Sequence, residues 1–138
     1  LHVRSRRQRQ MCIRDRIDIE RGTQPRVVQR VTECASSKLW LSTVVLGEIE
    51  AGIQRSVNPE ILHRTYRVLL HGRRILGVDE ECASIYGRLR ADLLDRGLPI
   101  GANDLWIAAQ AIRQDLVLVT ANEKEFSRVG GLKIENWR

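Results

Sequence analysis

LPIGANDLWIAAQAIRQDLVLVT, residues 98–120, decides the fold. LPIGA carries a proline and a glycine and reads as a loop. From Asn103 onward the residues turn almost wholly apolar, Leu105 to Ile112, as in a helix packed into a core. DLVLVT, residues 115–120, is then a short aliphatic run of the kind buried on both faces in a parallel sheet. Asp104 is the anomaly, because an ionised carboxylate at the mouth of a buried helix is expensive unless something compensates it. Two readings of it stand on pattern alone. Asp104 could serve the helix dipole, with Asn103 as the N-cap, or it could face a cation.

The chain on either side repeats the helix-then-strand pattern. QPRVVQRVTECA (24–35) spaces Val27, Val28 and Val31 as a helix does, and KLWLS (38–42) is a short β-type run. STVVLGEIEAGIQRS follows as a helix capped by Ser42 or Thr43, with Leu46, Ile49 and Ile53 on one face. Residues 59–71 form a helix opened by Pro59, and RILGV (74–78) a strand. Residues 79–97 make a long amphipathic helix with acids in its first turn and Gly97 as its stop. After residue 120, NEKEFSRV is a short helix and LKIENW a last strand. Helices alternating with short apolar strands predict a three-layer α/β domain, its short and mainly parallel sheet flanked by helices.

At 138 residues, 43% hydrophobic and 29% charged, the chain is the size and composition of one globular domain. No apolar run approaches the roughly 18–20 residues of a membrane-spanning helix, so no membrane partner is expected. The basic start lacks the apolar segment of a secretory signal. Cys12, Cys34 and Cys82 show neither metal nor disulfide spacing, which suits a reducing cytoplasm. The net charge of +6 suggests nucleic acid, but its placement matters more than its total. Residues 1–16 hold six arginines against Asp15, so +5 of it sits there and the body is almost neutral. RRQRQMCIRDR resembles a translated sequencing adapter; a disordered basic arm is the alternative. The expected organisation is a non-native or disordered basic segment over 1–16 and a single domain over 17–138.

In such a fold, sites gather at the C-terminal ends of the strands. Glu48 lies on the helix after LWLS, Asp104 opens the helix before LVLVT, and Thr120 and Asn122 follow that strand. If these converge, they offer the hard oxygen ligands that Mg²⁺ or Mn²⁺ takes from one or two carboxylates plus water. Two carboxylates about 4 Å apart repel by roughly 4 kcal/mol at an effective dielectric near 20, so without a cation one of them takes up a proton. Spacing alone leaves the plainer alternatives open: Glu48 as a solvated helix residue like Glu50, and Asp104 as a dipole partner.

LSTVVLGEIEAGI (41–53), LPIGANDLWIAAQAI (98–112) and LVLVTANEKEFSRVGGLKIENW (116–137) together resemble a PIN-domain ribonuclease of the VapC toxin type, over residues 17–138. The resemblance implies a PIN-like fold and an Mg²⁺- or Mn²⁺-dependent endoribonuclease of the bacterial cytoplasm that hydrolyses phosphodiester bonds in structured RNA such as tRNA or rRNA. It places Glu48 and Asp104 on two of the family's metal-ligand positions, and Asn122, with Thr120, on a further and often acidic one. It also implies a small antitoxin partner and a homodimer. One element departs from the pattern. The family's first strand ends in an LDTN-like motif whose Asp falls near Cys12, and the motif is absent; Asp15 is three residues out of register and Asp18 reads as a surface residue. The first strand is therefore expected to be missing or replaced, and activity impaired.

The rival from another class is a catalytically silent PIN-like module that binds RNA or protein. A nucleotide-binding domain is disfavoured, since no glycine-rich loop follows any strand and VGG (129–131) precedes one. Trp40, Trp106 and Trp137 read as core or core-edge packing, His63 and His71 as residues of an ordinary polar helix. Arg73, Arg74, Arg88 and Arg90 are open to either solvent or RNA phosphate.

Overall fold

A computed structural model describes residues 11–13, 25–33 and 38–137. Its strands are Met11–Ile13 (β1), Leu39–Ser42 (β2), Arg74–Leu76 (β3), Val117–Val119 (β4) and Lys133–Glu135 (β5). Between them run the helices Pro25–Glu33 (α1), Thr43–Gln54 (α2), Pro59–Leu69 (α3), Glu80–Asp95 (α4), Ala102–Arg113 (α5) and Glu123–Phe126 (α6). The strands form one sheet in the order β3-β2-β1-β4-β5, and every neighbouring pair is parallel. Parallel neighbours need crossover connections, which are right-handed. Because the order runs outward from β1 to β3 and then turns back to β4, these crossovers place helices on both faces, as the alternating pattern predicts.

The first strand is expected to be missing or replaced, and its slot is not left empty. Met11–Ile13 fills the central slot, with Cys12 level with Trp40 and Leu118, and Ile13 level with Leu41 and Val119. The sheet thus draws its middle strand from ahead of Ile17, and that strand contains no acid. The expectations for Asp15, Asp18 and Cys34, and for the basic segment over residues 1–16 apart from Met11–Ile13, lie outside the described residues.

The core is built where apolar faces meet. Leu39, Leu41, Val117, Leu118 and Val119 from the sheet pack with Val45, Ile49 and Ile53 of α2 and with Leu105, Ile107, Ala108 and Ala111 of α5. The alanines of α5 let it lie close to its neighbours. Trp137 is buried, while Trp40 and Trp106 are partly buried against the core, so all three pack as the sequence predicts. Arg74 stacks over Trp40 with its guanidinium 5.2 Å from the ring centre, and Arg73 donates to the Val31 carbonyl at 2.7 Å. Both arginines therefore serve the packing of the fold.

Ser42, not Thr43, caps α2, its Oγ accepting from the Val44 N–H. The N-cap of α5 differs from expectation. It is Gly101, in extended conformation and without a side-chain cap, so Asn103 lies inside the first turn and is not the cap. At the far end of α5, Asp115 adopts a left-handed φ of 52°, and Leu116 N–H reaches back to Ala111 O at 2.8 Å. This closure turns the chain directly from α5 into β4. Phe126 is fully buried at the end of α6. Phe126→Ala is expected to cost about 3–5 kcal/mol, read as a drop in the urea midpoint at unchanged slope.

Candidate active site

The strand order reverses between β1 and β4, and in open α/β sheets the crevice outside the strand ends at such a point is where ligands bind. Four segments reach it. Thr120 follows β4 and is held there by donating its N–H to Glu135 O at 3.0 Å. Its Oγ1 accepts from Asn122 N–H at 3.0 Å, which turns the chain into α6. Asn122 caps α6, its Oδ1 accepting from Glu125 N–H, while its Nδ2 donates to Glu125 Oε2 at 2.7 Å.

Glu125 is the residue that ties the site together. Its Oε1 accepts the N–H of Gly101 at 3.1 Å, so a carboxylate from α6 sits on the N-terminus of α5. There it does what a side-chain cap does, with the added attraction of the helix dipole. Arg128 donates to Pro99 O at 3.1 Å, and Arg96 donates to Arg128 O at 2.6 Å, which fixes the loop leading into α5. Burial by itself would push the Glu125 carboxyl up. The N–H of Gly101, the amide of Asn122, a hydrogen bond with Asp104 and the charge of Arg128 together outweigh it and hold the carboxyl below its ordinary value.

Asp104 is partly buried in the first turn of α5, and its interaction with Glu125 is one of the causes that hold the Glu125 carboxyl low. On the other side, Asn103 Nδ2 donates to Glu48 Oε1 at 3.3 Å, bringing α2 to the same helix end. Behind Asp104, Trp106 stacks on Tyr86 of α4 with ring centres 3.9 Å apart, which braces the start of α5 against α4.

The structure therefore brings Asp104, Asn122 and Thr120 into one hydrogen-bonded cluster and joins Glu48 to it through Asn103. Among the described residues no three His, Cys, Asp or Glu side chains form a group that could hold a metal ion. Both Glu125 oxygens are taken by Gly101 and Asn122, so the carboxylates with the chemistry for a small hard cation are Asp104 and Glu48, since Mg²⁺ is bound through one or two carboxylates and keeps several waters. Glu125 is the residue that sequence reasoning missed. Its signal was Asn122-x-x-Glu125, the spacing of a capping box; the Glu125 side chain turns instead to the end of α5.

A geometry of this kind has known counterparts. The family model described as "PIN domain" matches residues 13–132. The chain belongs to the PIN-domain family. Among curated relatives, ribonuclease VapC2 of Rickettsia felis is 39% identical over 102 residues, covering 74% of this chain and 76% of that protein. The tRNA(fMet)-specific endonuclease VapC of Salmonella typhimurium is 33% identical over 102 residues, 74% of this chain and 77% of that one. Among solved structures, the PIN-domain fold of this chain matches a chain of the VapBC2 complex of Rickettsia felis bound to a DNA fragment from its promoter. The TM-score is 0.81 at 31% identity, over 93% of this chain and 98% of the other. Its likeness to a chain of DNA-bound VapBC from Salmonella typhimurium has a TM-score of 0.83 at 27% identity, over 94% and 99%. This PIN domain is thus one of the VapC group, whose named members are endoribonucleases of toxin–antitoxin systems.

Linkage gives the sign of one expected pH effect. The Glu125 carboxyl is held low in the folded chain, so its contribution to stability is present above the ordinary carboxylate range and is lost as pH falls through the lowered value. Urea unfolding followed from about pH 7 to about pH 3 should show stability falling on the acid side, and the fall should be shallower in Glu125→Gln.

Proposed function

We propose that this chain is a divalent-metal-dependent endoribonuclease toxin that cuts structured RNA such as tRNA or rRNA. A small antitoxin holds it in check, and it works as a homodimer in the bacterial cytoplasm. The observation that carries this reading is the meeting of Asp104 and Glu125 at the N-terminus of α5, with Glu48 joined to them through Asn103. Asp104 and Glu48 would hold Mg²⁺ or Mn²⁺, with Glu125 beside Asp104. Bound there, the cation would polarise a phosphodiester and lower the pKa of an attacking water. Asn122 and Thr120 set the edge against which the RNA backbone lies, and Asn122 contributes an amide without charge. Glu125 keeps Asp104 and the first turn of α5 in place.

Met11–Ile13 brings a strand to the centre of the sheet but no carboxylate, so catalysis by this chain is impaired. The same observation favours a second reading, a silent PIN-like module that binds RNA or protein without turnover. Incubating the chain with labelled tRNA and Mn²⁺ separates the two. Slow cleavage that EDTA stops supports the enzyme, whereas RNA binding with no cleavage at any metal concentration supports the module.

A further inference from the structure

The contact between Glu48 and Asn103 is a polar link between α2 and α5, and a second link is buried. Ser42 Oγ donates to Gln110 Oε1, and Gln110 Nε2 donates to the Leu76 carbonyl at 2.9 Å. Ser42 Oγ also accepts the Val44 N–H at 3.1 Å. Ser42 is 0% exposed and Gln110 1%. Gln110 lies on a helix whose other buried residues are Leu105, Ile107, Ala108, Ala109 and Ala111. A carboxamide there must have its hydrogen bonds met or it is costly, and an apolar side chain would fill the place without that demand. What a carboxamide adds is direction. Its oxygen can only accept and its nitrogen can only donate, so Ser42 and Leu76 have to stand on their respective sides of it.

The two links lie at matched positions. Going from Ser42 to Glu48 is six residues along α2, and going from Gln110 back to Asn103 is seven along α5. At 1.5 Å per residue the separations are about 9 and about 10.5 Å. The helices therefore lie antiparallel with one link at the buried end and one at the crevice. A single link leaves two helices free to pivot; two fix their register.

We infer that Ser42 and Gln110 are positioning residues for Glu48: the buried chain Ser42–Gln110–Leu76 sets α2 against α5 and so delivers Glu48 to the Asp104 edge. This rests on the reading of Glu48 and Asp104 as metal carboxylates. Neither positioning residue touches metal or RNA.

Two readouts test it in Gln110→Leu, with Ser42→Ala, which removes only one oxygen, as the variant if the first does not fold. The first needs no metal: a crystal structure of the metal-free variant. The Glu48–Asn103 contact, 3.3 Å in the parent, is expected to open. The second is Mn²⁺ affinity by calorimetry. It is expected to weaken by about tenfold or more, as for the loss of groups that orient metal ligands, and the loss should vanish in a Glu48→Gln background. A folded variant that keeps the contact and the parent's Mn²⁺ affinity, with only a lower Tm, overturns the inference. If the parent itself takes up no Mn²⁺, the metal reading fails, and the metal-free structure alone decides whether the two residues place Glu48.

Discussion

Ile13→Asp raises RNA cleavage by about 100-fold or more. Among the described residues, Ile13 is the member of β1 nearest the crevice, level with Leu41 and Val119 and one position short of Ser42 and Thr120. β1 is the strand at which the sheet order reverses, so its C-terminal end lies at the middle of the crevice edge. Removing one preorganised charged or dipolar group from an active site costs about 10²–10³ in rate, and restoring one should return as much. Single-turnover cleavage of an end-labelled tRNA in Mn²⁺ measures it. A rate equal to the parent's in a protein of unchanged Tm would mean that β1 does not carry the missing acid.

Asp104→Asn, made in the Ile13→Asp chain, removes that activity by about 10³-fold or more. Asparagine keeps the shape of the side chain and one oxygen acceptor, so the first turn of α5 and its link to Glu125 should persist, while the charge that would hold the cation is gone. The loss should fall on kcat with little change in KM, because substrate binding is not what Asp104 supplies. Glu50→Gln is the matched control. Glu50 is exposed on α2 and lies 4.0 Å from His63, away from the cluster, and its loss should leave the rate unchanged.

Much of this was legible in the sequence because its signals are local. The periodicity of α2, α4 and α5, the Ser42 cap and the aliphatic run of β4 each rest on residues within a turn or two of one another. The meeting of Asp104, Asn122 and Thr120 followed from one rule about strand ends. Other features depended on partners far along the chain. Gly101 as the cap of α5 could not be read, since its N–H is met by Glu125, 24 residues away, and glycine offers no side chain to signal it. Asn103 carries the side chain of a cap, which drew the helix start two residues too far; its amide is used on Glu48, 55 residues away. The register of β1 was hidden for another reason. Met-Cys-Ile sits amid arginines with no alternation to mark a strand, and only pairing on both sides defines it.

The most direct test is cleavage of a tRNA pool by the Ile13→Asp chain, assayed with EDTA, then with Mg²⁺ or Mn²⁺ restored, beside the same chain carrying Asp104→Asn. Discrete fragments that appear only with metal and only with Asp104 intact are the expected result. Fragments of equal yield in EDTA, or from the Asp104→Asn protein, would contradict a metal-dependent ribonuclease centred on Asp104.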